Sequence, residues 1–156
     1  MTKLYFPDEQ ITTDDLYFVC YMTERIARRL KQPNSYVINA MGHDGLVKKL
    51  SLADVLHSAN PLSIEADWID EYHLTEGNYD VSQVSPELCE HIPTASQMGK
   101  VYKRLILNTL KANEDYADGM IRVYNDPICK TLDKYDCGAY HEPSPYIARS
   151  YMAGGF

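Results

Sequence analysis

A segment with its own start and stop signals runs from about Thr13 to Lys31, and a chain that carries it has to fold around it. Asp14 and Asp15 lie in the first turn and Arg28, Arg29 and Lys31 in the last, the polarity that complements a helix macrodipole. Leu16, Val19, Cys20, Ile26, Ala27 and Leu30 recur at helical spacing and form one apolar stripe. Phe18, Tyr21 and Met22 widen that stripe over the N-terminal half, so the helix must be covered on more than one side. Cys20 is then a core residue, as free cysteines commonly are.

The remaining punctuation is helical too. Ser85-Pro86, Asp126-Pro127 and Ser144-Pro145 each set an N-cap oxygen before a proline, which loses no helical hydrogen bond at the first position. Ser51 and Asp54 resemble a capping box. Gly42, Gly77 and Gly154 are suited to end helices. These signals predict helices at about 34–41, 44–50, 51–59, 63–73 and 86–91, a second long one at about 95–112, then about 115–125, 127–135 and 145–153. Strand-like alternation is confined to Lys3-Leu-Tyr-Phe6. The expectation is an all-α single domain over residues 1–156, with roughly seven to nine helices. The polar stretch at about 77–85 can divide two helical halves, but at this length it reads as a loop.

Charge is distributed in thirds. Between Lys49 and Lys100 there is no lysine or arginine, yet there are nine acids: Asp54, Glu65, Asp67, Asp70, Glu71, Glu76, Asp80, Glu87 and Glu90. Residues 1–49 hold six acids and seven bases, and residues 100–156 seven acids and eight bases, so the net charge of −7 originates in the middle. A one-sign block attracts basic partners and repels nucleic acid. No apolar run approaches the roughly 20 residues that span a bilayer, and the N-terminus lacks a secretory leader, so a cytoplasmic location is expected. The four cysteines, Cys20, Cys89, Cys129 and Cys137, form no CxxC pair and read as free thiols. Thirteen tyrosines against three phenylalanines suit half-buried helix faces.

Several groups can carry chemistry. His57 ends a capped helix, where it can act as a base, contact a partner or bond the last carbonyls of its own helix. Cys137 with His141 is a candidate nucleophile and base, although no signature surrounds the pair. Cys89, His91, Cys129, Cys137 and His141 are zinc-ligating types, but their spacings are not those of common zinc modules, and no metal or other cofactor is expected. Asp67, Asp70 and Glu71 share a helix with Trp68 and form the favoured contact surface; a solvated face is the simpler alternative. Two basic clusters, Arg25, Arg28, Arg29 and Lys31 and then Lys100, Lys103, Arg104 and Lys111, can pair with the acidic block. The Gly-Gly-Phe156 end reads as a flexible terminus.

Leu16-Tyr-Phe-Val-Cys-Tyr21 leading to Glu24 and Ala27-Arg-Arg-Leu30, then Leu52-Ala-Asp-Val-Leu-His57 and Asp67-Trp-Ile-Asp-Glu-Tyr72, resemble a bacterial family of short helical domains known as domain of unknown function 3791. The resemblance covers about a third of the chain. Members of that family are suspected of accompanying toxin-type effectors such as ADP-ribosyltransferase-like proteins. The resemblance therefore implies a partner or antidote role. Together these readings point to a cytoplasmic interaction protein whose acidic segment meets a basic protein surface. The enzyme alternative is a small hydrolase or transferase using His57 or Cys137 and His141.

Overall fold

In a computed structural model of residues 1–156, Thr12 opens the first helix, α1 (Thr13–Leu30), with a reciprocal capping box. The Thr12 hydroxyl accepts from the Asp15 amide and the Asp15 carboxylate accepts from the Thr12 amide. Lys31 ends α1 in the left-handed conformation. A distant segment then completes this terminus: the amides of Gly77 and Tyr79 donate to the carbonyls of Leu30 and Lys31 at 2.8 and 2.9 Å. Those carbonyls have no acceptor role left inside the helix, so the 77–79 segment satisfies them.

α2 (Asn34–Leu56) bends sharply at Gly42, whose φ of 66° and ψ of −179° suit glycine alone among the common residues. The predicted break at Gly42 is there, but the predicted boundary at Ser51 is not. Ser51 is buried in mid-helix and its hydroxyl accepts from the Leu4 amide, while Asp54 pairs with Lys3. Lys3-Leu-Tyr-Phe6 is accordingly no strand; one isolated bridge joins Thr2 to Gln10 and the buried Lys3 pins this loop to α2. α3 (Pro61–Glu71) starts from Asn60, whose side chain accepts from the Leu62 amide, with proline at the first position.

No helix forms at 86–91; Ser85 supports only a turn, through the amides of Leu88 and Cys89. α4 (Ala95–Thr109) begins with a second capping box, Thr94 with Gln97. α5 (Tyr116–Tyr124) is capped by Asp115. The helix predicted at 127–135 is a single turn, α6 (Cys129–Leu132), before which Asp126 accepts from the Ile128 amide. A 3-10 turn (Ala139–His141) leads to α7 (Ser144–Met152), where Ser144 makes no side-chain cap. Gly154, at φ 92°, follows the end of α7 as expected.

α1 is the central element, packed against α2, α3 and α4, with α5 on α2 and α7 on α4. The α1–α4 crossing is close because Gly99 lies against the Tyr21 backbone, where a Cβ would come within 3.1 Å of Tyr21 Cα. One cluster of 36 buried apolar residues runs from Ile11 to Ala148. Val81 and Val84 lie on that same cluster, so the polar stretch is a loop over one core. Trp68, Tyr102, Tyr124 and Tyr135 are its largest enclosed side chains. No helix is long and apolar enough to cross a membrane.

Candidate functional site

The nine acids of the middle segment divide by position. Glu65, on the α1-facing side of α3, is 3% exposed and bonds Arg25 at 2.7 Å, with Arg29 at 3.9 Å. Glu71 bridges Lys49 at 2.8 Å and Lys48 at 3.2 Å, and these contacts hold its carboxyl down to about 2. Asp54 meets Lys3 at 2.9 Å. The other six, Asp67, Asp70, Glu76, Asp80, Glu87 and Glu90, meet no lysine or arginine. Five of these six are exposed and Asp80 is half-buried, accepting from Ser82. None of the bases of α4 pairs with the block. The pairing bases all come from residues 3 to 49.

Apolar groups accompany the free acids. Leu88, between Glu87 and Glu90, is 70% exposed, and Leu62, Tyr79 and Ile92 are exposed as well. Asp67 and Asp70 face solvent as expected, but Trp68 does not belong to a contact surface. It is 2% exposed, and its ring packs edge-on against Phe18 with the Lys49 ammonium over its face. Helical spacing explains the correction: Ile64 and Trp68 are four apart on the buried side, and Asp67 and Asp70 lie on the other. Glu71 is already engaged by two lysines.

Of the candidate reactive groups, Cys89, His91 and His141 line one depression beside Tyr140, but no three ligand atoms of the set converge there. His57 is exposed and its Nδ1–H donates to the Asp54 carbonyl at 2.6 Å, the C-terminal capping role. The exposed Cys137 donates its thiol to the Thr131 carbonyl, and His141 stacks on Tyr140. Cys89 and Cys129 donate to the carbonyls of His91 and Val123, and burial pushes the Cys129 thiol up to about 12. The only place where three ligand-type atoms converge is His43 with Asp115 and Asp118, on the surface. These residues were not singled out from sequence.

A second unanticipated feature is internal. Asn34 Nδ2 donates to Glu24 at 3.0 Å and to Asp133 at 3.1 Å, bridging two carboxyls, and the Tyr102 hydroxyl donates to Asp133 at 2.7 Å. Burial raises the affinity of both acids for protons, and for Glu24 the neighbouring Asp133 adds to it. Arg28 lies nearby but turns its guanidinium to the Tyr135 hydroxyl instead. A signal was present in the sequence, since Glu24 stands between Cys20 and Ala27 on the apolar stripe. Each Asp133 oxygen accepts one bond and Glu24 is enclosed, so the network ties α1, α2 and α4 to the segment after α6. Comparison of the chain with protein-family models, with curated proteins and with solved structures finds no match.

Proposed function

We propose that this chain is a cytoplasmic interaction protein, antidote-like in role, that docks a basic protein surface on the acidic side formed by α3 and residues 73–93. One observation carries the reading: six acids of the middle segment have no lysine or arginine partner, while the three others are neutralised by neighbours. Unpaired like charges raise the potential at a surface and speed the encounter with an oppositely charged partner. The exposed Leu88, Leu62, Tyr79 and Ile92 supply the apolar contact that charge alone does not. The resemblance of residues 16–72 to a family whose members are suspected of accompanying toxin-type effectors lends the same direction. The Cys137/His141 alternative has no such support: the Cys137 thiol donates to the Thr131 carbonyl and no hydrogen bond joins it to His141.

The test is capture of the partner from the native cell, followed by binding measurements with the purified pair. Asp67→Lys with Asp70→Lys should slow association about tenfold or more and flatten its salt dependence. Leu88→Asp should speed dissociation. Melting temperatures should move little, because these side chains are exposed and make no hydrogen bond or ion pair within the protein. A partner that binds all variants equally well would refute the docking surface.

A further inference from the structure

A cleft of about 390 Å³ opens over the buried carboxyl pair, between the start of α2, the turn at Tyr79 and the segment from Tyr124 to Asp133. Pro33, Tyr79 and Pro127 give it apolar walls, and the bond from the Tyr79 amide to the Lys31 carbonyl, at 2.9 Å, fixes one of them. Asn34 and Asp133 line it as well. Asn34 is 6% exposed, and both bonds that its Nδ2 donates go to the acids, to Glu24 at 3.0 Å and to Asp133 at 3.1 Å. Its Oδ1 is thereby turned from them, accepts nothing within the protein and is left to the cleft. A polar group so deeply enclosed ordinarily has a partner.

Charge points the same way. Glu24 and Asp133 are bridged by one amide, and neither makes an ion pair; Arg28, near by, gives its guanidinium to the Tyr135 hydroxyl at 3.1 Å. Each Asp133 oxygen accepts a single bond, from Tyr102 or from Asn34, so each keeps a lone pair. Tyr102 is itself held by stacking on Tyr124, with centroids 4.3 Å apart, so these acceptors are fixed in advance. Asp126 and Lys130 also line the cleft and offset one another in sign. What remains is a set of acceptors between apolar walls, which suits a cationic group with several N–H donors on a short hydrocarbon chain. One ammonium can meet Asn34 Oδ1 and an Asp133 oxygen together, because Oδ1 and Nδ2 of Asn34 share a carbon and Nδ2 already touches Asp133. Burial keeps protons on both acids, and an ammonium at Asp133 replaces one of them as countercharge when that proton leaves for solvent.

We propose that this cleft binds a primary alkylamine in its ammonium form, recognised by Asp133 and Asn34. None of the six acids without a lysine or arginine partner lines the cleft, so this site and the acidic docking side can fail separately. The test titrates isotope-labelled protein near neutral pH with butylamine, with butanol, which lacks the charge, and with butyltrimethylammonium, which keeps the charge but has no N–H. Butylamine should shift the signals of Asn34, Ser35, Tyr79 and Asp133 saturably, and each of the other two should bind about tenfold more weakly or not at all. Asp133→Asn should weaken butylamine about tenfold or more. Tyr79→Ala removes a wall whose side chain makes no hydrogen bond, leaves the backbone bonds in place and should weaken butylamine severalfold; it decides the matter if the Asp133 variant does not fold. No saturable shift with butylamine, equal binding of the three compounds, or full affinity in a folded Asp133 variant or in Tyr79→Ala would overturn the proposal. So would shifts centred on Asp67, Asp70 and Leu88, which would put the amine on the acidic face instead.

Discussion

Raising the pH should loosen this protein from within, and the buried acids Glu24 and Asp133 set the range. The pair holds its protons because burial disfavours charge on either residue and because a second charge would repel the first. It titrates as a unit, its protons released over an interval that begins above the 3.8 and 4.5 of the free side chains and reaches up to about 8. Across that interval the folded state binds more protons than the unfolded chain, so the free energy of unfolding falls as pH rises. The stabilisation is complete below the unfolded values and is lost as pH passes through the folded ones. With each pKa unit equivalent to about 1.4 kcal/mol, the displacement of Glu24 from 4.5 to about 8 corresponds to about 5 kcal/mol. That is a large part of the roughly 5–15 kcal/mol by which a domain is normally stable. Glu71, held low by Lys49 and Lys48, acts in the opposite sense, but only in the acid range. Stability should therefore be greatest at mildly acid pH.

The perturbation is Glu24→Gln, which keeps the shape and still accepts the Asn34 amide but has no charge to acquire. Urea unfolding followed by circular dichroism from about pH 5 to about pH 8 should show the parent losing several kcal/mol, while the variant changes by about 1 kcal/mol. The two curves should lie close together at the acid end and diverge steadily above neutrality, with the variant the more stable. A parent that is flat over this range, or a variant that declines in parallel with it, would refute the reasoning.

The buried ion pair gives an asymmetric prediction. Arg25→Met strands the Glu65 carboxylate and should cost about 3–5 kcal/mol, eased by Arg29 at 3.9 Å, whereas Glu65→Gln releases a partly exposed guanidinium to water and should cost about 1–2 kcal/mol. Urea midpoints in the reverse order would show that the pair is not controlled by desolvation of the acid. Thiol titration with a chromogenic disulfide should report one prompt group in the native protein, Cys137, and the other three only on unfolding. The Cys137 rate should not exceed that of free cysteine; a faster thiol would revive the nucleophile reading.

What could be read from the chain was what neighbouring residues decide. The extent of α1 follows from its stripe and terminal charges, and the break at Gly42 and the stop at Gly154 follow from backbone freedom. The failures are places where a distant group overrides a local signal. Ser51 looks like a cap, but its hydroxyl receives the Leu4 amide from 47 residues away and the helix runs on. The stretch at 127–135 has helical composition, yet Asp133 is held by Asn34 and Tyr102, and only one turn of helix precedes it. Trp68 was grouped with acids adjacent in sequence, whereas the packing of α3 on α1 separates them by helix face. Glu24 was legible as an acid on an apolar stripe, but its partners lie in segments that pattern alone could not bring together.

The one-sign block was open to two arrangements, internal balance or an exposed field, and the packing produces both. α3 rests on α1 and turns Glu65 inward, where it meets Arg25, with Arg29 near by; Glu71 bonds the lysines of α2; Asp54 receives Lys3 from the N-terminal loop. Those are the acids that the first helices can reach. Asp67 and Asp70 point away on the same helix, and the amides of Gly77 and Tyr79 tie the next segment to the end of α1, where Val81 and Val84 pack on the core while Glu76, Glu87 and Glu90 face solvent. The bases of α4 cannot compensate, since that helix packs against α1 through Met98, Tyr102, Leu105 and Ile106 and carries its charge outward. Core packing thus pairs the acids that the first helices can reach and leaves the other six without a lysine or arginine partner, each acting over a screening length of about 8 Å at physiological salt.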